Sequence, residues 1–181
     1  MNRGHVLWLY GLPSSGKTTL ADHLAKIFDI FNVQYQKLDG DMVRTSICKG
    51  LGFSYEDRVE NIARIAWVAK QLSKAGTNVI VSAITPFIEM RVNNYDKLSP
   101  YYLEYYVDCG LETCIKRDVK GLYKKAIDGT ISNLTGYNDR FDVPSDLEFM
   151  DPNKFKISTQ DRSINDSLYD IIMSLDGNQV I

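Results

Sequence analysis

Eight residues near the start of the chain have the types and spacing of a phosphate-binding loop. The segment Gly11-Leu12-Pro13-Ser14-Ser15-Gly16-Lys17-Thr18 fits the pattern of a glycine, four residues and then Gly-Lys-Ser/Thr. The two glycines allow the backbone to turn and approach phosphate oxygens, which successive N–H groups then bind. Lys17 would neutralise the β- and γ-phosphates of ATP, and the Thr18 hydroxyl would ligate Mg²⁺. The predicted ATP-binding residues are Gly11, Ser14, Ser15, Gly16, Lys17, Thr18 and Thr19.

The segments on both sides of the loop support this interpretation. Residues 6–10 form an apolar run of strand length, and residues 19–28 have helical spacing with Leu20, Leu24 and Phe28 on one face. A strand, a loop and a helix N-terminus in this order form an anion site, because the helix dipole adds its positive end. These flanks disfavour the alternative of a chance Gly/Ser-rich turn before a helix.

Two carboxylates follow the second predicted strand, residues 33–39. They belong to Asp39-Gly40-Asp41, and in a doubly wound sheet ligands bind beyond the carboxyl ends of the strands. Phosphoryl transfer needs a carboxylate near the metal and one near the attacking hydroxyl. We predict that Asp39 holds Mg²⁺ or accepts the hydroxyl proton, with Asp41 assisting. The alternative is an ordinary Asp-Gly turn that caps the next helix.

Strands and helices alternate along the chain, which predicts an α/β fold. Further strands are expected at 78–84, 102–108 and 154–158, and helices from 41, from the N-cap Ser54 to Gly76, at 88–97, at 111–117 and after the N-cap Ser163. This order is typical of a P-loop NTPase-type doubly wound parallel sheet with helices on both faces. We expect residues 1–181 to form a single domain, with residues 120–150 as a lid over the phosphate loop.

Basic and aromatic residues near the predicted strand ends suit a second nucleotide. Arg44 shares a helix face with Asp41, and Arg58 and Asn61 lie near the start of the long predicted helix. That helix end carries partial positive charge, and a bidentate arginine there would bind a phosphate of an acceptor. Arg58 is alternatively an exposed surface charge, and Phe53 either stacks on a base or anchors its loop in the core. The predicted lid is basic because it holds Arg117, Lys120, Lys124 and Lys125 at or near its start.

The composition excludes several classes of protein. The 181 residues carry a net charge of −2, with 44% hydrophobic and 24% charged residues, so nothing favours nucleic acid or a membrane surface as partner. No apolar run approaches the roughly 20 residues of a membrane helix, and we expect no signal peptide. Cys48, Cys109 and Cys114 form no metal pattern, so reduced thiols in a cytoplasmic protein are the simplest interpretation.

Two other classes of nucleotide-binding protein are alternatives to a phosphoryl-transfer enzyme. A regulatory GTP switch needs an Asn-Lys-x-Asp string that specifies guanine, and the nearest string, residues 153–156, lacks the aspartate. A non-catalytic nucleotide-binding scaffold is disfavoured because Lys17, Thr18 and Asp39 are all intact. An ATP turnover assay separates such a scaffold from an enzyme.

Three longer strings resemble adenylylsulfate kinases, which transfer the γ-phosphoryl of ATP to the 3′-hydroxyl of adenosine 5′-phosphosulfate. They are residues 38–44 (LDGDMVR), 51–62 (LGFSYEDRVENI) and 117–126 (RDVKGLYKKA). The resemblance runs from the phosphate loop to about Pro144. It implies that Arg44, Arg58 and Asn61 hold the 5′ group of the acceptor and that Phe53 stacks on its base. It also implies nucleotide contacts from Arg117, Lys120 and Thr85, and a homodimer.

The chain departs from this family on the acceptor side. Thr85 and Leu134 stand where the family usually has serine and phenylalanine. An asparagine that usually follows Arg44 by a few residues is replaced near Cys48, and residues 137–142 differ and add an arginine. Leu134 removes one aromatic face of the base sandwich, and base–aromatic stacking is worth roughly 1–3 kcal/mol per base. An alternative acceptor is therefore the cytidine nucleotide of a related family, the cytidine diphosphoramidate kinases of bacterial capsule modification.

Overall fold

The computed structural model describes residues 3–178 and residue 180, and a five-stranded parallel sheet forms its centre. The strands are β1 (Val6–Tyr10), β2 (Tyr35–Asp39), β3 (Asn78–Ser82), β4 (Tyr102–Asp108) and β5 (Lys154–Ser158), in the order β2-β3-β1-β4-β5. Leu9 in the central strand lies beside Ser82 of β3 and Tyr105 of β4. The prediction of a doubly wound parallel sheet is confirmed.

Helices cover both faces of the sheet because the side chains of β1 alternate in direction. Val6, Trp8 and Tyr10 pack with α3 and α4 on one face, whereas Leu7 and Leu9 pack with α1 and α7 on the other. All five side chains are fully buried. The helices are α1 (Lys17–Ile30), α2 (Gly40–Thr45), α3 (Tyr55–Lys74), α4 (Ile88–Leu98), α5 (Leu111–Arg117), α6 (Leu122–Ile127) and α7 (Ile164–Gly177).

Two predicted helix starts are confirmed in detail. The Ser54 hydroxyl accepts a hydrogen bond from the Asp57 amide at 3.1 Å and caps α3. Ser163 caps α7 in the same way, and the carboxylate of Asp166 accepts a hydrogen bond from the Ser163 amide in return. Both caps lie at the same edge of the sheet as the phosphate loop.

Two predicted strands are shorter than expected. β2 begins at Tyr35 rather than at residue 33, because the Val33 amide still donates to the Phe28 carbonyl at the end of α1. β3 ends at Ser82 rather than at residue 84, because Thr85 adopts a left-handed backbone conformation with φ 44°. The residues beyond Ser82 therefore form a turn that lines the site instead of extending the sheet.

The segment predicted as a lid shares a small hydrophobic core with Leu12, Cys109 and Cys114. It contains α6 and a 3-10 helix (Asp146–Met150), and its buried residues Tyr123 and Leu134 pack against Leu12 of the phosphate loop. The Tyr123 hydroxyl also donates to the Pro13 carbonyl at 3.0 Å. The sequence shows few apolar repeats in this segment. Its core was not predicted because the contacts join residues far apart in the chain.

Two further observations concern the cysteines and the apolar character of the helices. Cys48, Cys109 and Cys114 are buried free thiols. Among the helices in the described part of the chain, none is both long and apolar enough to cross a membrane.

Candidate active site

The phosphate-binding loop joins β1 to α1 in the predicted way. Gly11 and Gly16 have φ values of 151° and 105°, and a side chain on Gly11 would lie 2.5 Å from the Val107 carbonyl oxygen of β4. The neighbouring strand thus leaves no room for another residue at Gly11, and the loop turns directly over the end of the sheet. Lys17 is the first residue of α1.

Lys17 is buried inside this loop. Its ammonium donates to the carbonyls of Gly11 at 3.0 Å and Leu12 at 2.6 Å, and the side chain is only 9% exposed. Burial lowers its pKa to about 8. A weakly solvated cation at this position interacts strongly with anionic oxygens of a nucleotide, because little water competes for it.

Asp39 lies between the donor loop and the next strand of the sheet. Its Oδ2 accepts hydrogen bonds from Ser82 at 2.8 Å and Thr18 at 3.1 Å, and its Oδ1 accepts the Asp41 amide at 3.0 Å. Burial raises the pKa of Asp39, but these three hydrogen bonds outweigh it and leave the pKa below its ordinary value. Asp39 therefore caps α2, as the alternative interpretation expected, and it also contacts Thr18 of the phosphate loop. Its role toward Mg²⁺ or the acceptor hydroxyl stays a prediction.

The donor atoms around Asp39 suit a magnesium ion. A hydroxyl and a single carboxylate oxygen meet here, and Mg²⁺ is typically held by one or two carboxylates together with substrate phosphates and water. No group of three or more His, Cys, Asp or Glu side chains that could hold a metal occurs within residues 3–178 or at 180. Oxygen ligands from Thr18 and Asp39, completed by phosphate oxygens, therefore match Mg²⁺ better than Zn²⁺.

Asp41 points across the mouth of the site. Its carboxylate forms an ion pair with Lys120 at the start of the lid segment, and the two side chains are 68% and 54% exposed. The contact joins α2 to the lid, 79 residues further along the chain. The catalytic role of Asp41 stays a prediction, and its observed partner is the predicted nucleotide ligand Lys120.

Arg58 is buried, which contradicts the alternative of an exposed surface charge. Its guanidinium donates to the carbonyls of Phe53 at 2.9 Å and Asn133 at 2.7 Å, to the Asp139 carboxylate at 2.7 Å and to the Thr135 hydroxyl. Burial lowers its pKa, although the Asp139 carboxylate opposes that effect. Arg58 therefore also fastens residues 133–139 to the start of α3, which sequence spacing did not indicate.

Asn61 lies one helical turn after Arg58, and both residues line a cavity at the carboxyl edge of the sheet. It is 6% exposed, and its Oδ1 has no hydrogen-bond partner among the described residues. A buried amide oxygen without a partner is costly, so a donor group on a bound molecule would stabilise it.

Arg44 and Phe53, two of the residues predicted to bind the acceptor, stack on each other. The Arg44 guanidinium carbon lies 4.5 Å from the centre of the Phe53 ring and its Nη1 donates to the Gly52 carbonyl at 2.8 Å. Phe53 is 55% exposed, which contradicts the alternative that it anchors the loop in the core. Its ring is available as a flat surface for a base.

Thr85 and Leu134 line the same cavity, and both are buried and contact other parts of the protein. Their contacts with a substrate stay predictions. Thr85 is fully buried, and its hydroxyl accepts a hydrogen bond from the Trp8 indole at 2.8 Å. A β-branched residue at φ 44° is strained, so this contact and the surrounding packing hold the turn in place. Leu134 is 6% exposed and packs with Leu12 and Tyr123.

The donor end includes residues that sequence reasoning missed. Arg117 donates to the Thr159 carbonyl at 2.6 Å, and the Thr159 hydroxyl donates to the Ser15 carbonyl at 2.7 Å. These bonds tie the segment after β5 to the back of the phosphate loop. The signal was present, because a polar residue follows β5 at the same sheet edge as Asp39. The missed residues are Ser82, Thr159, Arg162, Ser163, Ile164 and Ser167.

One cavity of about 740 Å³ brings both ends together at the carboxyl edge of the sheet. Its donor end is lined by the phosphate loop, Arg117 and the start of α7. Its acceptor end is lined by Arg44, Phe53 and Asn61 together with the turn after β3. Asp39 lies where the two ends meet. The cavity is large enough for extended ligands, which fits a donor and an acceptor nucleotide side by side.

A central strand that feeds a phosphate loop, with a second basic end in the same cavity, defines a P-loop phosphotransferase. A gluconokinase from Sinorhizobium meliloti shares this fold at a TM-score of 0.62 with 12% identity. A protein-family model described as adenylylsulphate kinase matches residues 3–150. The chain belongs to the adenylylsulfate kinase family.

Individual relatives agree with the family model. A probable adenylyl-sulfate kinase of Pseudomonas aeruginosa is 41% identical over 169 residues, covering 93% of this chain and 76% of that protein. An adenylyl-sulfate kinase of Chloroflexus aurantiacus is 47% identical over 141 residues, covering 78% and 75%. The structure of a Mycobacterium tuberculosis APS kinase in complex with AMPPNP and APS aligns with a TM-score of 0.88 at 32% identity, covering 97% of this chain and 99% of that one.

Proposed function

We propose that this protein transfers the γ-phosphoryl group of ATP to the 3′-hydroxyl of adenosine 5′-phosphosulfate. Membership of the adenylylsulfate kinase family and a relative solved with AMPPNP and APS support this reaction. The observation that carries the proposal is the position of Asp39, which touches Thr18 of the donor loop and lies where the two ends of one cavity meet.

The donor half holds ATP through the phosphate loop. Backbone N–H groups at the start of α1 bind the phosphates, and the buried ammonium of Lys17 moves from the loop carbonyls to the β- and γ-phosphates. Thr18 and Asp39 would hold Mg²⁺, which neutralises phosphate charge when bound. Arg117 and the residues after β5 form the wall for the adenosine part of ATP.

Asp39 orients the acceptor hydroxyl and accepts its proton. Its lowered pKa keeps the carboxylate ionised at neutral pH, as a proton acceptor must be. The hydrogen bond from Ser82 fixes its orientation. Asp41 does not contact the hydroxyl and acts through its ion pair with Lys120. This ion pair holds the start of the lid over the phosphates. Most of the rate enhancement then comes from positioning and charge neutralisation.

The acceptor half recognises an anionic nucleotide. Arg44, Arg58 and Lys120 provide positive charge, and the Oδ1 of Asn61 offers an acceptor for a hydroxyl or amino group. Phe53 provides the stacking surface for the base, with Leu134 as an apolar wall rather than a second aromatic ring. Thr85 contributes the turn that lines this end, with its hydroxyl held by Trp8.

Replacing Phe53 with Ala is expected to weaken acceptor binding selectively. The KM for adenosine 5′-phosphosulfate should rise about fivefold to a hundredfold, because one base loses an aromatic stacking partner. The KM for ATP should stay within about twofold, since the donor half is untouched. Phe31→Ala is the matched control, because Phe31 is 64% exposed and follows the far end of α1. Equal changes in both KM values for Phe53→Ala would argue against the stacking role.

The cytidine acceptor is the second candidate considered for this site. Leu134 still favours it physically, because a pyrimidine needs less stacking surface than adenine. The relatives named above give it no support, so adenosine 5′-phosphosulfate remains the proposed acceptor.

We further propose that the whole chain acts as one domain with residues 120–150 as its lid, as a homodimer in the cytoplasm. An exposed apolar area on α3 supports the dimer, since Trp67 is 65% exposed and tryptophan is enriched at interfaces. Ile47, which lies between α2 and α3, is 45% exposed, and its carbonyl accepts a hydrogen bond from Arg64 of α3. Buried free thiols are compatible with a reducing compartment.

Trp67→Glu is expected to convert a dimer into a monomer, because a buried unpaired carboxylate is costly at an interface. Light scattering coupled to gel filtration should show that the variant has half the mass of the wild-type protein. Tyr169→Glu is the control, since Tyr169 is 61% exposed on α7, which covers the opposite face of the sheet. A monomeric wild-type protein, or a dimeric Trp67→Glu variant, would contradict this interface.

The proposed reaction is tested by the identity of the acceptor hydroxyl. The purified protein is incubated with Mg-ATP and either adenosine 5′-phosphosulfate or its 3′-deoxy analogue, and the products are separated by anion-exchange chromatography. Phosphorylation of the first compound alone is expected. Phosphorylation of the 3′-deoxy analogue would show that another hydroxyl reacts.

A further inference from the structure

The last third of the lid segment, which returns to the sheet, supplies the N-terminal cap of α4. The N-cap residue Phe87 has no side-chain acceptor, and the Asp142 carboxylate instead accepts the Ile88 amide at 3.0 Å. The Asp142 amide also donates to the Pro86 carbonyl at 2.8 Å. Asp142 is therefore hydrogen-bonded to the residues on both sides of Phe87, although it lies 54 residues beyond Ile88 in the chain.

Neighbouring side chains extend this contact to α3. Arg140 donates to both oxygens of Asp142 at 2.6 and 2.7 Å and lies 5.2 Å from the centre of the Phe87 ring. It also lies 3.8 Å from the Glu89 carboxylate, which accepts the Tyr55 hydroxyl at 2.9 Å. The Tyr55 and Phe87 rings are 5.0 Å apart. The following paragraphs use the name clasp for these five side chains: Tyr55, Phe87, Glu89, Arg140 and Asp142.

The clasp lies directly behind one wall of the acceptor half. Thr85 and Pro86 line the cavity, and Thr85 holds a strained backbone with φ 44°. On the sheet side the turn is held by the hydrogen bond from Trp8 to Thr85. On the lid side, the hydrogen bond from the Asp142 amide to Pro86 holds it.

Both carboxylate oxygens of Asp142 are engaged in the clasp. Burial raises its pKa, but hydrogen bonds from Arg140 and the Ile88 amide outweigh that effect and lower the pKa. The carboxylate therefore stays charged, which favours its place at the positive end of α4. Arg140 is more exposed than Asp142, with 56% against 21% of the side chain accessible, so the cap is the better protected of the two contacts.

We propose that Asp142 is a positioning residue that couples the lid to the acceptor wall. By capping α4 and holding Pro86, it fixes the turn at Thr85 only when residues 140–142 are seated. The lid and the acceptor wall are thereby ordered together. Binding of the acceptor therefore depends on Asp142 more strongly than binding of ATP does. This inference rests on the proposed function, since it assigns the Thr85–Pro86 turn to the acceptor side.

The test compares Asp142→Ala and Arg140→Met with the control Asp146→Ala. Asp146 belongs to the same returning segment, and its side chain is 96% exposed. The dissociation constant of adenosine 5′-phosphosulfate is measured by calorimetry in the presence of ADP, so no turnover is needed. Exchange of the Ile88 amide hydrogen is followed by NMR in the same variants.

Asp142→Ala should weaken acceptor binding about fivefold to tenfold, leave the dissociation constant of ADP within about twofold, and speed exchange at Ile88. Arg140→Met should have a smaller effect in the same direction, because the cap remains, and Asp146→Ala should have none. Faster exchange at Ile88 with unchanged acceptor affinity would overturn the proposal and leave a purely structural cap. If Asp142→Ala fails to fold, Arg140→Met decides by the same two readouts.

The same measurements separate the two proposals. A wild-type protein that binds adenosine 5′-phosphosulfate but transfers nothing contradicts the proposed function, and the clasp is then still judged by the affinities. A wild-type protein that binds no adenosine 5′-phosphosulfate contradicts both.

Discussion

Lys17→Ala abolishes phosphoryl transfer, with kcat lower by at least about a thousandfold, in a protein that keeps its fold. The magnitude follows from the loss of a preorganised positive charge beside the transferred group. The fold is expected to survive because alanine removes a buried charge together with its hydrogen bonds to the Gly11 and Leu12 carbonyls, while the packing of β1 against α1 is kept. The measurement is the steady-state rate with Mg-ATP and adenosine 5′-phosphosulfate, together with the thermal midpoint of unfolding.

The matched control for this variant is Lys26→Ala. Lys26 belongs to the same helix as Lys17 and is exposed, so its replacement should leave the rate within about twofold. Residual transfer by Lys17→Ala within tenfold of the wild type would contradict the role of the ammonium. Loss of the folded state in Lys17→Ala would instead assign the residue to the stability of the loop.

Asp39→Asn lowers kcat by about a hundredfold to ten-thousandfold, the range for loss of a general base. Asparagine is a good N-cap, so the hydrogen bond from the Asp41 amide and the start of α2 are kept. The variant therefore removes the charge and the proton acceptor while the local structure remains. Because Asp39 would also hold Mg²⁺ with Thr18, the KM for Mg-ATP should rise as well.

Asp96→Asn serves as the control for Asp39→Asn. Asp96 lies exposed on α4, and its replacement makes the same change of net charge outside the cavity. Near-normal turnover by Asp39→Asn would rule out both proposed roles of the carboxylate. A rate restored by raising the Mg²⁺ concentration would assign Asp39 to the metal rather than to the proton.

Much of the sheet was predictable because its signals are local. The apolar run of β1, the Gly-x₄-Gly-Lys-Thr loop and the apolar face of α1 are each visible within about ten residues. The same holds for the caps at Ser54 and Ser163. Because the strands are parallel, the polar residues at their carboxyl ends lie at one edge of the sheet. The position of Asp39 at this edge could therefore be predicted.

Other parts of the site depend on contacts between distant segments. Arg58 reads as a surface charge from spacing alone, and its burial results from Asn133, Thr135 and Asp139, which follow it by 75 or more residues. Thr159 follows β5 at the predicted edge of the sheet, so its place could have been predicted, but its contact with Ser15, 144 residues away, could not. No local pattern specifies such pairs.

Leu134 shows a third limit of sequence reasoning. The substitution was visible as a departure from the family, but its place was not, because Leu134 both lines the cavity and packs against Leu12 and Tyr123. The packing of Leu134 against residues far away in the chain is not visible in a local comparison of sequences.

The choice of acceptor is tested most directly by comparing kcat/KM for adenosine 5′-phosphosulfate and cytidine 5′-diphosphoramidate, each with saturating Mg-ATP. The proposed function predicts that the adenosine compound is used with at least about a hundredfold higher kcat/KM and yields a 3′-phosphorylated product. Turnover of the cytidine compound alone would contradict the proposed acceptor while leaving the phosphotransferase site in place.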